Sequence, residues 1–337
     1  MGTAAMSQPL SPTPGNAELP LPDGRRLSAE GSLLLLDGAP LLRLEGADGT
    51  LHCQPPAEPE FALQALAYWR FSREPDCQRL ALALPGGVPE ALLENGLVRL
   101  DAGVPLIERA AFWQLPGLWL RGRRSAGYPE QMCMHASGRR HPRRPPKPQG
   151  EVYRRFDARL GAWVALRTLD VEEDLARFNR WQNHPRVAAF WQEEGDLARH
   201  RRYLEELAAD PRVLTLIGAF DDEPFAYYEA YWAKEDRIAP FYAVDDYDRG
   251  IHMLVGEDRH RGPHRVAAWL GALAHYLFLD EPRTRRIVCE PRADNARMIQ
   301  HLQALGFARL KEFDFPHKRA ALMVLEREAF FARCRLA

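Results

Sequence analysis

The sequence predicts an α/β protein whose C-terminal half contains a mixed, mostly antiparallel central sheet flanked by helices. From residue 153 onward, strand-like runs and helical apolar spacings follow one another in the order β-α-α-β-β-β-α-β-α-β-β. Short polar turns separate two of the strand pairs, which is typical of antiparallel hairpins. A fainter copy of part of this order lies nearer the N-terminus. We therefore expect two α/β domains, of which the first is smaller.

Composition divides the 337 residues into four segments. Residues 1–23 are rich in Pro, Ser and Gly, so we expect a disordered tail. Residues 24–134 are expected to form a non-catalytic α/β domain. Residues 135–152 contain the run "GRRHPRRPPKPQG" and are expected to form an extended linker, because Arg and Pro dominate and core-forming residues are few. Residues 153–337 are expected to form the second domain.

The elements of the second domain follow from local patterns. The run "AWVALRTL" is predicted to be a strand, and the next helix places Val171, Leu175, Phe178 and Trp181 on one face. After a second helix, the runs "RVLTLIGAF" and "PFAYYEAYW" form a hairpin. The elements that follow are, in order, a polar loop, the strand "GIHMLVG", a helix from Pro263, the strand "RRIVCEP", the helix "NARMIQHLQALGF", and a strand pair around "FDFPHKRAALMVL".

The N-terminal copy consists of "FALQALAYWRF", "RLALALPG" and "PEALLENGLVRL". Its L-x-x-x-G-hydrophobic ending, Leu92 to Leu97, matches Leu302 to Phe307 in the second domain. We interpret the first domain as a degenerate repeat of the second, with an unrelated α/β domain as the alternative.

Bulk composition excludes several classes of function. The formal net charge is −1 and 46% of residues are hydrophobic, which is typical of a soluble protein without general attraction to nucleic acid or anionic membranes. No apolar run reaches the roughly 18 residues that span a bilayer, and the first ten residues lack signal-peptide character, so we expect a cytoplasmic protein. The five cysteines lack a CxxC pair, so neither a disulfide framework nor a zinc module is predicted.

The stretch "EDRHRGPHR" is the sharpest chemical signal. A helix start offers unpaired N–H groups and a positive dipole end, and glycine lets backbone approach an anion, so this turn predicts a phosphate cradle. The spacing of two histidines also suits a metal, but the flanking arginines would repel a cation, and we predict no metal. An exposed basic helix start without a ligand is the remaining alternative. The candidate residues are Arg259, His260, Arg261, Gly262, His264 and Arg265.

The motif Arg259-x-x-Gly262-x-His264, between a strand and a helix, resembles the turn by which the GNAT superfamily holds the pyrophosphate of acetyl-CoA. Asn295, at the start of the next helix, and the "ALGF" ending resemble that family's second CoA motif. The resemblance covers about residues 155–327. The stretches "DDYDRGIHMLVGE" and "EFDFPHKRA" further resemble the siderophore-biosynthesis branch of the family. The resemblance implies a GNAT fold in the second domain and acetyl-CoA as co-substrate.

The resemblance also implies roles for strand residues. Met253 would lie beside the acyl group, and backbone N–H groups at Leu254 and Val255 would polarise the thioester carbonyl. His252 would accept the proton of the attacking nitrogen, and Asp294 is a second catalytic candidate, with an N-cap role as its alternative. In many relatives a tyrosine that protonates the leaving thiolate occupies the position of Leu302.

The loop "AKEDRIAPFYAVDDYDR" mixes carboxylates, cations and aromatic rings, which suits a zwitterion such as an amino acid. Together with the resemblance, this loop predicts acyl transfer to an N-hydroxylated lysine or ornithine side chain, which gives a hydroxamate. A homodimer remains open, on the analogy of the superfamily. The alternatives are an aminoglycoside-type N-acetyltransferase and a non-catalytic CoA-binding sensor or scaffold. The candidate substrate-binding residues are Tyr228, Tyr231, Trp232, Glu235, Asp248 and Arg249.

Overall fold

The computed structural model describes residues 18–47, 50–53, 58–122, 128–136, 138–333 and 336. They form two compact units. The first comprises the described residues up to Leu118 together with 156–161 and the C-terminal end, and the second comprises 119–155 and 162–330. The division therefore falls earlier in the chain than the predicted boundary at residue 134.

The first unit contains an eight-stranded sheet in the order β1-β2-β3-β4-β5-β6-β8-β7. Neighbouring strands are antiparallel except for the parallel pair β5 and β6. The strands are β1 (Glu18–Pro20), β2 (Arg26–Glu30), β3 (Leu33–Leu36), β4 (Ala39–Ala47), β5 (Thr50–Cys53), β6 (Arg79–Ala83), β7 (Arg99–Asp101) and β8 (Val104–Glu108), and the helices are α1 (Pro59–Arg73), α2 (Glu90–Glu94) and α3 (Arg109–Phe112).

Strand β1 lies within residues 1–23, for which the sequence predicts a disordered tail. Leu19 and Leu21 are buried there, so apolar contacts outweigh the Pro-rich composition. Residues 1–17 lie outside the described residues.

The second unit contains a two-stranded ribbon and an eight-stranded sheet in the order β11-β12-β13-β14-β15-β16-β18-β17. The strands are β9 (Met132–Met134), β10 (Arg140–Pro142), β11 (Glu151–Asp157), β12 (Ala162–Thr168), β13 (Val213–Phe220), β14 (Glu223–Trp232), β15 (Arg249–Val255), β16 (Arg286–Cys289), β17 (Ala308–Phe315) and β18 (Lys318–Glu326). The helices are α4 (Val171–Gln182), α5 (Pro185–Trp191), α6 (Leu197–Ala209), α7 (Pro263–Asp280), α8 (Ala296–Leu305) and α9 (Arg327–Ala332).

The helices begin where the sequence supplies caps. The Asp170 side chain accepts hydrogen bonds from two backbone N–H groups at the start of α4, and Asn295 caps α8 in the same way. Gly306 ends α8 with φ of 112°, a conformation that glycine adopts without steric cost. Sequence periodicity missed α5, because its seven residues are too few to establish a helical repeat.

The sheet opens between its fifth and sixth strands. Strand β15 pairs with β14 along its whole length, but its parallel pairing with β16 covers only Arg249 and Gly250. Residues 251–255 of β15 extend beyond this pairing and lie at the cavity described below. One buried apolar cluster includes Phe178, Tyr227 and Leu254 of β15, and another includes Val288 of β16 and Phe313. No helix among the described residues is long and apolar enough to cross a membrane.

The Arg/Pro-rich segment belongs to the second unit rather than forming a free linker. Strand β10, inside this segment, pairs with β9. Arg144 is buried, and its guanidinium donates to both carboxylate oxygens of Glu235 at 2.7 and 2.6 Å. Composition suggested a solvated segment because it could not show that this arginine has a buried carboxylate partner.

Candidate active site

A cavity of about 840 Å³ lies in the second unit beside the open part of the sheet. Helices α5, α6 and α8, the strands β14 and β15, and the start of α7 all contribute lining residues. This volume lies within the usual range for small-molecule and cofactor sites.

A row of three ionisable side chains crosses the cavity. The Nδ1 atom of His252 lies 2.8 Å from Oε2 of Glu229, and its Nε2 atom lies 2.8 Å from Oε1 of Glu290. Both glutamates are buried and all three residues line the cavity. We call these three residues the carboxylate–imidazole row.

Hydroxyl groups hold the outer oxygens of the row. Tyr203 and Tyr227 donate to Oε1 of Glu229 at 2.6 and 2.9 Å, and Tyr231 donates to Oε2 of Glu290 at 2.9 Å. The Lys318 ammonium donates to the backbone oxygen of Glu290 at 2.7 Å. These contacts satisfy the buried carboxylates and fix their orientation.

The row carries charge at neutral pH. Burial disfavours the charged imidazole, but the carboxylates of Glu290 and Glu229 outweigh burial and raise the pKa of His252 to about 10. Burial would raise the pKa of Glu290, yet His252 lowers it to about 2. His252 is therefore an imidazolium between two carboxylates, and the row has a net charge of −1. As an imidazolium, His252 donates from both ring nitrogens, so it has no lone pair for the proton that it was expected to accept.

Strand geometry explains how the row forms. Side chains two residues apart on a strand share a face, so Tyr227, Glu229 and Tyr231 point to the same side of β14. In the register of the sheet, Glu229 lies opposite His252 and Tyr231 lies opposite Gly250. A Cβ atom on Gly250 would lie 1.9 Å from the Tyr231 ring. Glycine at this position therefore lets the tyrosine ring cross β15 toward Glu290.

The structure brings six of the predicted cofactor-binding residues to the cavity. Gly262 is the N-cap of α7 with φ of 128°, a conformation that L side chains rarely adopt, and a Cβ atom there would lie 3.1 Å from the His264 ring, so this turn requires glycine. The chain thus offers the exposed helix start and open strand edge that a pyrophosphate-bearing thioester such as acetyl-CoA needs. The six residues are Met253, Leu254, Val255, Arg261, Gly262 and Asn295.

The other four residues predicted for the cradle are not among the cavity-lining residues. Arg259 and His260 both pair with Glu223, and Arg265 donates to Nδ1 of His260 at 2.9 Å. His264 is exposed. The cofactor-binding role of these four residues stays a prediction. A short 3₁₀ turn at Asp258–His260 rotates successive side chains to different sides, which spacing alone cannot show.

Of the predicted substrate-binding residues, Tyr231 lines the cavity and the others do not. Tyr228 stacks on Trp269 on the opposite face of β14, since it is one residue out of phase with Tyr231. The remaining four are buried and contact other residues of the protein. The Trp232 ring contacts the guanidinium groups of Arg144 and Arg249. The ion pairs are Glu235 with Arg144, Asp248 with Arg286, and Arg249 with Asp280.

Asp294 lies outside the cavity. Its carboxylate pairs with Arg292 at 2.6 Å, and 65% of the side chain is exposed. It does not cap α8 either, because Asn295 does. Leu302 is fully buried, and its aliphatic side chain has no proton to donate.

Sequence reasoning missed both glutamates of the row and two cavity-lining loop residues, Asp236 and Arg237. The available signal was an isolated acidic residue in an otherwise apolar strand: Glu229 interrupts "FAYYEAYW", and Glu290 directly follows "RIVC". Because a buried carboxylate is costly unless it is paired, each is a marker of a polar cluster.

Two further observations concern metal ligands and the cysteine of the cavity. The described residues contain no cluster of three or more His, Cys, Asp or Glu side chains suited to a metal ion. Cys289 lines the cavity, but burial and then the charge of Glu290 raise its pKa well above the usual range, so it is held as a thiol. Cys334 lies outside the described residues.

Comparison with known proteins gives concordant matches. A family model described as an acetyltransferase (GNAT) domain matches residues 170–315. The N(6)-hydroxylysine O-acetyltransferase of Escherichia coli is 46% identical over 243 residues, covering 72% of this chain and 76% of that protein. The N(5)-hydroxyornithine:cis-anhydromevalonyl coenzyme A-N(5)-transacylase of Beauveria bassiana is 46% identical over 200 residues, covering 58% of this chain and 44% of that protein.

Among solved structures, an uncharacterized protein from Bacillus halodurans aligns with a TM-score of 0.53 and 29% identity. The alignment covers 56% of this chain and 95% of that chain. The similarity in structure thus extends over about the length of one of the two units.

Proposed function

Because this chain belongs to the GNAT acetyltransferase family, we propose that it transfers the acyl group of an acyl-CoA to the hydroxylamine nitrogen of an N-hydroxylated lysine or ornithine side chain. The product is a hydroxamate, an iron ligand of siderophores. The observation that carries this proposal is the carboxylate–imidazole row in a cavity that is also lined by the Gly262 helix start. The names of the relatives point to the same class of acceptor.

The carboxylate–imidazole row suits the proton transfer that acylation of a hydroxylamine requires. A hydroxylamine nitrogen is much less basic than an alkyl amine, so it is largely unprotonated at neutral pH and attacks without prior deprotonation. As the C–N bond forms and the C–S bond breaks, the nitrogen must lose one proton. In the tetrahedral intermediate this nitrogen is positively charged and strongly acidic, so a carboxylate of the row accepts its proton although His252 lowers the pKa of both glutamates. His252 keeps both glutamates in place.

The open edge of β15 is suited to the thioester. Backbone N–H groups in residues 251–255 stand beside the cavity, where Met253, Leu254 and Val255 contribute lining atoms. We assign the polarisation of the thioester carbonyl to this edge and the phosphates to Arg261 and the start of α7. Acetyl-CoA, the co-substrate of this family, supplies the acyl group and the thiol leaving group.

Catalysis is assigned to the second unit, and direct transfer is favoured over a covalent acyl-enzyme. Every residue that lines the cavity belongs to the second unit. The buried thiol of Cys289 is not ionised at neutral pH, which removes the cysteine at this site as a nucleophile. Holding both substrates in one cavity supplies acceleration by proximity.

The test uses the purified full chain with acetyl-CoA and measures release of free thiol. N-hydroxylysine and N-hydroxyornithine are offered in parallel with lysine, ornithine and an aminoglycoside. We expect turnover with an N-hydroxy amino acid and a product that forms a coloured iron(III) hydroxamate complex. Thiol release without the iron(III) colour would indicate transfer to oxygen. Turnover with the aminoglycoside alone, or tight CoA binding without turnover in any sample, would overturn the proposal.

A further inference from the structure

The arginines that line the cavity fall into two groups. Most of them already hydrogen-bond to a carboxylate, as in the pairs Arg186 with Asp258, Arg212 with Asp210, and Arg292 with Asp294. Within the described part of the chain, Arg237 and Arg297 have no carboxylate within hydrogen-bonding distance. A guanidinium that faces a cavity without such a partner is available to an anionic ligand.

The two available arginines belong to different parts of the cavity wall. Arg297 lies in the first turn of α8, directly after the capping Asn295. Arg237 lies in the loop between β14 and β15, where its Nη2 atom is 3.8 Å from Oε1 of Glu290 and its guanidinium is 5.3 Å from the Phe315 ring. Arg237 is thus next to the row.

Asp236 stands beside Arg237 and also lines the cavity. One of its carboxylate oxygens accepts a hydrogen bond from the N–H of Ile238 at 3.0 Å. Burial raises the pKa of this carboxyl, which an incoming ammonium group would offset. A cation and a carboxylate in sequence match the carboxylate and ammonium groups of an amino acid.

The Arg/Pro-rich segment holds this loop in place. Arg139 donates to the backbone oxygen of Asp236 at 2.6 Å, and Arg144 makes its two hydrogen bonds to the adjacent Glu235. Lys147, further along the segment, donates to the backbone oxygens of Leu207 and Ala208 at the end of α6. The segment therefore joins two cavity-lining elements, which explains why it is ordered.

We propose that Arg237 binds the α-carboxylate of the amino-acid acceptor and that the neighbouring Asp236 binds its α-ammonium group, on a loop that the Arg/Pro-rich segment fixes. The inference rests on the proposed function, because it names the acceptor-binding end of that same site. It implies that the enzyme selects an amino acid over a diamine of equal length.

The experiment compares two acceptors that differ only in the carboxylate: N-hydroxylysine and N-hydroxycadaverine. The variants are R237Q and, as a matched control in the same cavity, R297Q. For R237Q we expect the KM for N-hydroxylysine to rise about 10- to 100-fold, the range for losing a charged hydrogen bond, with the KM for N-hydroxycadaverine little changed. R297Q removes the same charge from a different element of the cavity wall, α8, so its ratio of KM values for the two acceptors should stay that of the wild type.

Three outcomes would overturn the inference. The first is an equal rise in the KM of R237Q for both acceptors, and the second is an unchanged KM for both. The third is a preference of the wild-type enzyme for N-hydroxycadaverine. R237K, which keeps the charge but not the planar fork, should recover part of the affinity for N-hydroxylysine. Failure of the wild-type enzyme to use any N-hydroxylated acceptor would instead contradict the proposed function, so the two failures are distinguishable.

Discussion

The two units carry eight-stranded sheets with the same strand order and the same single parallel pair, yet they differ in what surrounds that frame. In both, a long helix joins the fifth and sixth strands and a shorter helix follows the sixth. In the second unit, helices α4 to α6 separate the second and third strands, whereas residues 31 and 32 alone do so in the first. This shared topology supports the interpretation of the first unit as a degenerate repeat.

The correspondence reaches the residues of the row. In the first unit Glu45 lies opposite His52, as Glu229 lies opposite His252 in the second. After the sixth strand, however, Leu84 precedes Pro85 in the first unit, where Glu290 precedes Pro291 in the second. The first unit therefore has a glutamate and a histidine at opposite positions of neighbouring strands, but it has leucine where the second unit has Glu290.

The helices after the fifth strands differ in charge. Both begin with proline, but Glu58 and Glu60 flank Pro59 in α1, whereas the residues around Pro263 in α7 are glycine and basic side chains. Acidic residues at a helix start oppose the binding of an anion such as a phosphate. The comparison teaches that the strand frame alone does not provide the site that we propose. The second unit adds the carboxylate after the sixth strand, the basic helix start and three further helices.

The largest expected effect comes from removing the residue that most separates the two units. The substitution E290L gives the second unit the apolar residue that Leu84 provides in the first. We expect kcat to fall about 10²- to 10⁴-fold, the range for loss of acid–base catalysis. Thiol release measures the rate, circular dichroism checks the fold, and a fall of less than about tenfold would contradict a catalytic role for Glu290.

The Arg/Pro-rich segment offers a matched pair of neighbouring arginines. The substitution R144A leaves the buried Glu235 without its bidentate partner, so we expect a loss of about 3–5 kcal/mol in the free energy of unfolding. The substitution R143A changes an exposed residue in the same segment and should have little effect. Chemical denaturation measures both, and equal losses would show that the Glu235 contact is not what stabilises the segment.

The glycine that accommodates Tyr231 gives a smaller effect. In G250A the new methyl group would meet the tyrosine ring, so we expect a loss of about 1–3 kcal/mol from overpacking, together with a lower kcat as Tyr231 leaves Glu290. In the first unit, Gly117 has open space around its Cβ position and no positive φ. G117A is therefore the control, and its stability and kcat should stay near those of the wild type.

The row also predicts a pH dependence of stability. His252 has a pKa of about 6.5 in an unfolded chain, compared with about 10 in the folded protein. Between these values only the folded state holds the proton, so the stabilisation from His252 is complete below the unfolded pKa and is lost as pH rises toward 10. Denaturation from pH 6 to 10 should show a steeper decline for the wild type than for H252Q; parallel curves would contradict the charged row.

The smallest expected effect tests whether one carboxylate is enough. In the inactive E290L background, L84E supplies the first unit with its missing glutamate. We expect no recovery of thiol release, because α1 still begins with acidic residues and the added helices are absent from the described part of that unit. Measurable recovery would show that the first unit holds a latent site.

The sequence by itself determined the elements and the class of the second unit. Apolar periodicity, caps and hairpin turns depend on neighbours within a few residues, so they predicted the order from β12 to β18 and the helices between them, with only the short α5 missed. Gly262 before Pro263 and the strand that contains His252 were likewise predictable from the sequence, because a phosphate turn and a strand histidine are local features.

Only the tertiary structure decided which charged residues meet. Glu229 lies on β14, His252 on β15 and Glu290 directly after β16, and their contact depends on register, which local patterns do not specify. The same reason explains the errors: Glu235, Asp248 and Arg249 have the composition of a binding loop, but their side chains form buried ion pairs, whereas Asp236 and Arg237 beside them face the cavity. Composition indicates how much charge a loop carries, and packing decides where each charge points.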